Sequence, residues 1–491
     1  MSEIKNQIYL RGQVRELDRT AIEDFNIPSF TLMHRAAESA FNELQTAWPE
    51  ANHIIVLVGT GNNGGDGYLL AKLALAAGFK VEAIQVGDHA NLQGDAKIAH
   101  GQFIEDGGCC VAFENKEIAK CDVIVDALLG TGLSREVKGK YKAAITLVNQ
   151  HTAPKLSIDI PSGLDANNGI PLGDAIRADI TQTFVGMKLG LLTAAGREYS
   201  GKIIFNHLQI PKEVYQTMSS TSHSIQLSDL QAVLSNRAAH AHKGDFGHVL
   251  VIGGNAGMAG SVMLAAEAAA RTGSGLVSVA TLPQHAAAAL QTCREIMVHS
   301  VSSSKELSVL LRRATVVAVG PGLGQNAWAK EMFTRVLDFN IPMVIDADAL
   351  NLLAGESLHK DTWVLTPHPG EAARLLKSST EVVQKNRLQS VQALQDQYGG
   401  VSVLKGSGTL VAKEKDVSIC TAGNPGMATG GMGDVLTGII AGLIAQGLTI
   451  YDAARFGVQL HAQSADVAAK DGMRGMLASD LLVPLRKLIN S

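Results

Sequence analysis

HIIVLVGTGNNGGDGYLLAKLALAAG, residues 53–78, decides the fold. After His53, five apolar residues run without a polar break, which predicts a strand buried on both faces. A glycine-rich turn comes next, and LLAKLALAAG then reads as a helix packed against that strand. Gly59, Gly61 and Gly64 satisfy G-x-G-x-x-G between strand and helix, the context of a dinucleotide-binding turn. The residues around and beyond the third glycine are less usual. Asn62, Asn63 and Asp66 put two amides and a carboxylate into one turn at a helix N-terminus, more than a phosphate cradle needs. A carboxylate there repels a diphosphate unless a cation or sugar hydroxyls stand between them. The ribose-binding acid expected about 20 residues further on is poorly met, since Glu82 lies inside KVEAIQV and Asp88 beyond it. A dinucleotide site is expected, though one that departs from the usual fingerprint.

Working outward, further apolar runs recur at 80–86, 122–130, 155–163 and 180–186, separated by amphipathic segments. That alternation predicts an α/β unit, a Rossmann-like three-layer αβα sandwich. Polar, aperiodic sequence between Pro211 and Ile225 reads as a linker. A second series begins beyond it, at 248–254, 276–281, 315–322, 342–349, 362–370 and 401–409, closed by a glycine-rich loop and helix from Thr421. Domains are therefore expected at 1–215 and 225–491, each with its own sheet and with no repeat relating them.

Composition narrows the partners. A formal net charge of −4 gives no reason to expect nucleic acid or an anionic membrane, and 4% aromatics disfavours base-stacking surfaces. The most apolar long stretch, Val435 to Ile450, is short of a membrane span and carries glycines and Gln446, so a buried helix is expected. Five cysteines without paired C-x-x-C spacing predict neither a zinc site nor a disulfide framework, and suit a reducing cytoplasm. No signal-peptide core occupies the N-terminus. Small molecules are the expected ligands, and a homo-oligomer the expected assembly.

In the first half, DVIVDALLGTGLSRE ends a strand at Asp126, and KLSIDIPSGLD ends one at Asp159 with Ser162 just beyond. Strand ends of a parallel sheet emerge on one edge, so these carboxylates should converge with the Asn62–Asp66 turn. Any one of them taken alone is as readily a helix cap. Asn63, Asp126 and Ser162 are oxygen donors suited to a hard cation, and Asp159 is the better acid–base candidate. GNNGGDGYLLA, DALLGTGLSRE and SIDIPSGLDA, in this order, resemble the NAD(P)H-hydrate epimerase family over residues 1 to about 210. The resemblance implies that Asn62, Asn63, Gly64, Gly65 and Asp66, together with Gly130, Thr131, Gly132, Leu133, Ser134, Arg135 and Glu136, bind the hydrated dinucleotide. It further implies a potassium ion on Asn63, Asp126 and Ser162, and contact of Asp159 with the reacting ring.

In the second half, NPGMATGGMGDVLTG (424–438) leaves the amides of Gly430, Gly431 and Gly433 free at the start of an apolar helix, with Asp434 in its first turn. KGSGT offers Lys405, Gly406, Ser407, Gly408 and Thr409 to phosphate oxygens. His368 and Glu371 in TPHPGE, and Asp346, Asp348 and Asn351 in VIDADALN, decorate other strand ends, where either Asp also fits a capping role. With GPGLG (320–324) this set resembles the ribokinase-like superfamily and, within it, the ADP-dependent NAD(P)H-hydrate dehydratase family. That resemblance implies ADP, carried with Mg²⁺, on Lys405–Thr409 and Gly433, hydrate contacts at Gly322 and His368, and Asp434 as base. The substrates would be the hydrates of NADH and NADPH. A vitamin or sugar kinase and a non-catalytic nucleotide sensor are the rival readings; the polar strand ends in both halves speak against the sensor.

Overall fold

The computed structural model describes residues 2–114 and 117–491. Contacts divide the chain into two compact units, Met1–His223 and Ser224–Ser491.

The first unit is built on seven strands, β1 (His53–Val58), β2 (Lys80–Gln85), β3 (Cys109–Ala112), β4 (Val123–Ala127), β5 (Lys155–Ile158), β6 (Ile180–Phe184) and β7 (Lys202–Asn206). All pair in parallel, in the order β3-β2-β1-β4-β5-β6-β7. The order reverses between β1 and β4, which opens a crevice at their C-terminal ends where doubly wound sheets bind ligands. Period-2 alternation explains the two layers of helix. Ile54, Val56 and Val58 enter one core with α1 (Arg11–Glu23), α2 (Ser29–Ala47), α3 (Asn62–Ala76) and α4 (Gly94–Glu105). Ile55 and Leu57 enter the opposite core with Ile145 and Val148 of α5 (Gly139–Gln150). A three-layer αβα sandwich results, as the apolar runs predict.

The second unit repeats the principle with β8 (His248–Ile252), β9 (Leu276–Thr281), β10 (Met297–Ser300), β11 (Val316–Val319), β12 (Met343–Ile345), β13 (Trp363–Leu365) and β14 (Val401–Leu404), all parallel. An antiparallel hairpin, β15 (Leu410–Lys413) and β16 (Asp416–Ile419), extends the sheet past β14. Within its core two helices pack closely through small residues. A Cβ on Gly438 of α7 (Met432–Ala445) would stand 2.0 Å from the Ala265 carbonyl of α6 (Ala259–Thr272). The apolar stretch beginning at Val435 is thus a buried helix, and among the described residues no helix is long and apolar enough to cross a membrane.

The segment read as a linker is only partly one. Val214 and Tyr215 on the short helix Lys212–Gln216 are buried, and the Tyr215 hydroxyl donates to the Val185 carbonyl at 2.8 Å. Edge strands β3 and β7 and the β15–β16 hairpin were not anticipated. β3 and β7 are too exposed or too mixed to show an unbroken apolar run.

Candidate active sites

In the first unit, the turn after β1 is set by contacts that only glycine allows. A Cβ on Gly59 would lie 1.9 Å from the Leu128 carbonyl, and one on Gly64 would lie 2.0 Å from the Gly59 carbonyl. The turn therefore presses against the chain leaving β4 and delivers Asn62, Asn63 and Asp66 into a cavity of 770 Å³. Thr131–Arg135 forms another wall and Asp159 the floor, with Lys188, Phe184 and Val185 beside it. From α1, Arg11 donates to the Leu133 carbonyl at 2.5 Å and Arg15 to the Thr131 carbonyl at 3.3 Å, fixing that loop.

Backbone strain aims the central groups. Asp159 (φ 68°) and Val185 (φ 63°) both sit in the left-handed region. Each is the middle residue of a γ-turn, closed by Ile160 N–H to the Ile158 carbonyl at 2.9 Å and by Gly186 N–H to the Phe184 carbonyl at 2.7 Å. Such conformations cost of order 1–3 kcal/mol each and persist where surrounding structure imposes them. Here they turn two strand ends so that the Asp159 carboxylate meets Lys188, whose ammonium also donates to Thr183 Oγ1 and the Phe184 carbonyl, both at 2.9 Å. Lys188 is fully buried, so this ion pair holds a charge that would otherwise stand unpaired. Burial pushes the Asp66 carboxyl well above its usual range, with Asp159 and Asp18 adding to the rise against Lys188.

Asp126 and Ser162 lie behind this surface. Asp126, opposite Leu57 and Ser157 in the sheet, is fully buried and accepts from Ser162 N (2.8 Å), Ser162 Oγ (2.5 Å), Ser157 Oγ (2.8 Å) and Leu128 N (3.3 Å). Burial raises its carboxyl in spite of these donors. Asn63 is the reverse case: its amide nitrogen and oxygen are both buried and neither has a partner. A Cβ on Gly130 would stand 3.7 Å from that oxygen. Of the expected residues, Gly64 and Gly65 shape the turn rather than line the cavity, and Glu136 pairs with Lys138 at 3.0 Å away from it. Asp18 and Lys188 were not anticipated. Lys188 comes after β6 without any glycine-rich signal, and Asp18 sits in an amphipathic helix where acids are normally solvated.

In the second unit, Gly431 (φ 88°) caps α7 in the left-handed region and leaves Asp434 in the first turn. Burial pushes the Asp434 carboxyl up to about 6, while a hydrogen bond from Ser261 pulls it down and Asp346 pushes it further up. Gly433 packs on an ion pair: a Cβ there would meet Lys405 Nζ at 3.4 Å and Asp346 Oδ2 at 3.5 Å. Asp346 is the hub of this site. It accepts from Lys405 Nζ (2.7 Å), Thr366 Oγ1 (2.8 Å) and Thr437 Oγ1 (2.8 Å), and Glu371 lies 3.9 Å from the same ammonium. Burial alone would lower the Lys405 ammonium, but Asp346 and Glu371 raise it, so it stays charged. Asp348 accepts from Gly324 N–H at 2.8 Å, tying the GPGLG turn to the helix Ala347–Leu353 that follows β12. Of the two acids left open between site and cap, neither caps its helix through its side chain.

The Lys405–Thr409 loop is pinned from below by buried Arg387, which donates to the carbonyls of Leu404, Lys405 and Gly408, leaving Gly406 and Ser407 exposed. His368 uses Nδ1 to cap the helix Pro369–Leu375, accepting from Gly370 N–H at 3.0 Å, and is more than half exposed. Gly322 (φ 57°) brings its turn against Met258 and Ser261. Unanticipated here is His461 of α8 (Ile450–Ala468), buried with an unpartnered Nε2 and pushed down to about 4 by burial and by Lys405.

Comparison with known proteins matches both halves. A family model described as NAD(P)H-hydrate dehydratase matches residues 249–487, and one described as YjeF-related protein N-terminus matches residues 29–190. The bifunctional NAD(P)H-hydrate repair enzyme of Coxiella burnetii is 46% identical over 485 residues, covering 98% of this chain and 99% of its own. The chain belongs to the bifunctional NAD(P)H-hydrate repair enzyme family. The Escherichia coli member is 42% identical over 491 residues, covering 99% of this chain and 95% of its own. Among solved structures, a ribokinase-like superfamily protein of Enterococcus faecalis is 31% identical with a TM-score of 0.51, covering 54% of this chain and 95% of that one. A hypothetical protein of Streptococcus mutans is 29% identical with a TM-score of 0.52, covering 54% and 98%. The resemblance legible in the motifs is thereby borne out for both halves of this repair-enzyme family member, as is the ribokinase-like fold of the second.

Proposed function

We propose that the first unit interconverts the R and S forms of NADH and NADPH hydrated at C6, and that the second dehydrates the S form while ADP becomes AMP and phosphate. For the first unit the reading is carried by the Asp159–Lys188 pair on the floor of a cavity walled by the Asn62–Asp66 turn and the 130–135 loop. Asp159 exchanges a proton with the substrate hydroxyl, held in place by the ammonium and by the strained turn behind it. Potassium is assigned to Asn63, Asp126 and Ser162. The unpartnered amide of Asn63 fits a cation of this kind, and an all-oxygen donor set suits a hard ion. When bound, it would supply positive charge beside an anionic dinucleotide.

In the second unit the carrying observation is Asp434, a half-buried base at the start of a glycine-opened helix beside the Lys405–Asp346 pair. ADP, with Mg²⁺ accompanying its phosphates, is placed on Lys405–Thr409 and Gly433, and the hydrate against Gly322 and His368. Asp434 takes the C6 hydroxyl proton, and the oxygen attacks the β-phosphorus, releasing AMP. The amides of Gly430–Asp434 stabilise the charge that develops. Phosphate then departs with the C6–O electron pair as the ring nitrogen lone pair forms the iminium, and loss of a C5 proton gives the dihydropyridine. Lys405 serves through the Asp346 pair as much as through phosphate. The reading places the enzyme in the cytoplasm and takes it as a homo-oligomer, which sedimentation measures.

The test is a mixture of hydrate epimers incubated with ADP, with ATP and with neither. The NADH absorbance band should recover completely with ADP, and phosphate should appear free in solution. A stable phosphorylated product would instead establish the kinase reading.

A further inference from the structure

Opening the C6–N1 bond of the hydrate moves one proton off the hydroxyl and another onto the nitrogen, so it calls for a base and an acid on the same substrate. Asp159, paired with Lys188, supplies a carboxylate. α1 turns Val14, Arg15, Asp18 and Ile22 toward the cavity, while Leu17, Thr20 and Ala21 are buried behind them. The helix lies outside residues 29–190, the stretch matched by the family model. The groups that act on or respond to the Asp18 charge are Asp66 from α3, Asp159 and Lys188 from the cavity floor, and Tyr215 from the helix Lys212–Gln216, and Arg15, Asp95, Arg135 and Tyr141 line the same cavity. The Tyr215 hydroxyl is engaged with the Val185 carbonyl. Among the described residues no side chain donates a hydrogen bond to Asp18 or to Asp66. Burial pushes the Asp18 carboxyl up to about 7, with Lys188 pulling it down and Asp159 pushing it up. A cavity that holds one carboxylate by an ion pair thus also presents two carboxyls that burial raises, Asp66 in the glycine-rich turn and Asp18 on the facing helix.

We propose that Asp18 is a second catalytic residue of the epimerase, the acid that works against Asp159 as base. The proposal rests on the epimerase reading of this cavity. Asp159 removes the C6 hydroxyl proton, the C6–N1 bond breaks with its electron pair going to N1, and Asp18 delivers its proton to N1. The products are a C6 aldehyde and an N–H held in conjugation with the carboxamide. Rotation about C5–C6 presents the other face of the carbonyl. N1 then attacks that face and returns its proton to Asp18, and the oxygen recovers its proton from Asp159. Both carboxyls end as they began, with no further reagent. Breaking C6–O instead would leave their proton states exchanged after every inversion and require a reset.

Asp18→Asn, Asp18→Glu and Asp159→Asn in the full chain test this, with R–S equilibration monitored without nucleotide so that the second unit is silent. Asp18→Asn should slow equilibration by about 100-fold or more while the dissociation constant for the hydrate stays within about threefold of the wild type. The wild-type rate should fall as pH rises through about 7, and that limb should vanish in Asp18→Asn. Asp18→Glu, which keeps the acid and so guards against misfolding of the amide variant, should regain activity together with the limb. Inversion in ¹⁸O water should leave the C6 oxygen unlabelled. A wild-type rate in Asp18→Asn, a limb that survives it, or one label per inversion overturns the proposal. Full activity in Asp159→Asn overturns the epimerase reading itself, which separates the two failures.

Discussion

Asp18 and Asp159 share one cavity, but only Asp159 has a cation within hydrogen-bond reach, while burial raises the Asp18 carboxyl. The difference has a thermodynamic consequence. With its folded value near 7 and its ordinary value at 3.8, Asp18 binds more protons in the folded chain than in the unfolded chain across that interval. Its contribution to stability therefore falls as pH rises from about 4 to about 7 and is level above. Asp18→Asn, neutral throughout, should match the wild type in denaturant melts near pH 4 and exceed it at pH 8, by on the order of a few kcal/mol. A gain of stability with loss of turnover is what a charge-bearing group placed for chemistry leads one to expect. Asp434 makes the complementary case. Its folded value of about 6 means that the base form grows in as pH rises through that value, so single-turnover dehydration should climb between pH 5 and pH 7. Asp434→Asn should abolish dehydration while ADP binding, measured calorimetrically, persists within a few-fold.

The strand–turn–helix unit from β1 into α3 is where sequence and structure agree most closely. Its glycines are required by backbone contact, so substitution should act on the element as a whole. Gly64→Ala forces a Cβ to within 2.0 Å of the Gly59 carbonyl, and only a shift of the turn relieves it. We expect a loss of roughly 2–4 kcal/mol, the range of overpacked or strained sites, read in a thermal melt, together with weaker hydrate binding as Asn62, Asn63 and Asp66 move. Gly61→Ala, whose Cβ would meet nothing within 4 Å, is the matched control and should cost under about 1 kcal/mol. Motifs of this type were legible because glycine, strand end and helix start fall together in the chain. The rest of each site was not, for physical reasons. Lys188 earns no signal from spacing, since its role depends on the γ-turns at Asp159 and Val185 that bring it to the cavity floor. Asp346 reads equally as a helix cap until Lys405, Thr366 and Thr437, up to 91 residues away, are seen to converge on it. His461 lies on the buried face of its helix and shows itself only by an unpartnered nitrogen.

At the scale of the whole molecule, the two chemistries are self-contained. Every residue lining the first cavity falls between Val14 and Leu208, and the groups gathered around Asp434 fall between Ser261 and His461. Among the described residues, the groups named for each site all belong to one unit. An S hydrate released into solution by one molecule would then be open to consumption by another. Two full-length variants, Asp159→Ala and Asp434→Asn, should then complement each other in solution. Alone with ADP, Asp434→Asn should recover no absorbance, and Asp159→Ala should recover only the S share, plus what spontaneous epimerisation slowly adds. Mixed in equal amounts, they should restore recovery from both epimers, at a rate that rises with the concentration of either protein. Failure of the mixture, with each variant binding its own ligands, would mean that repair requires both sites in one chain, and the independence argued from the residue ranges would not hold.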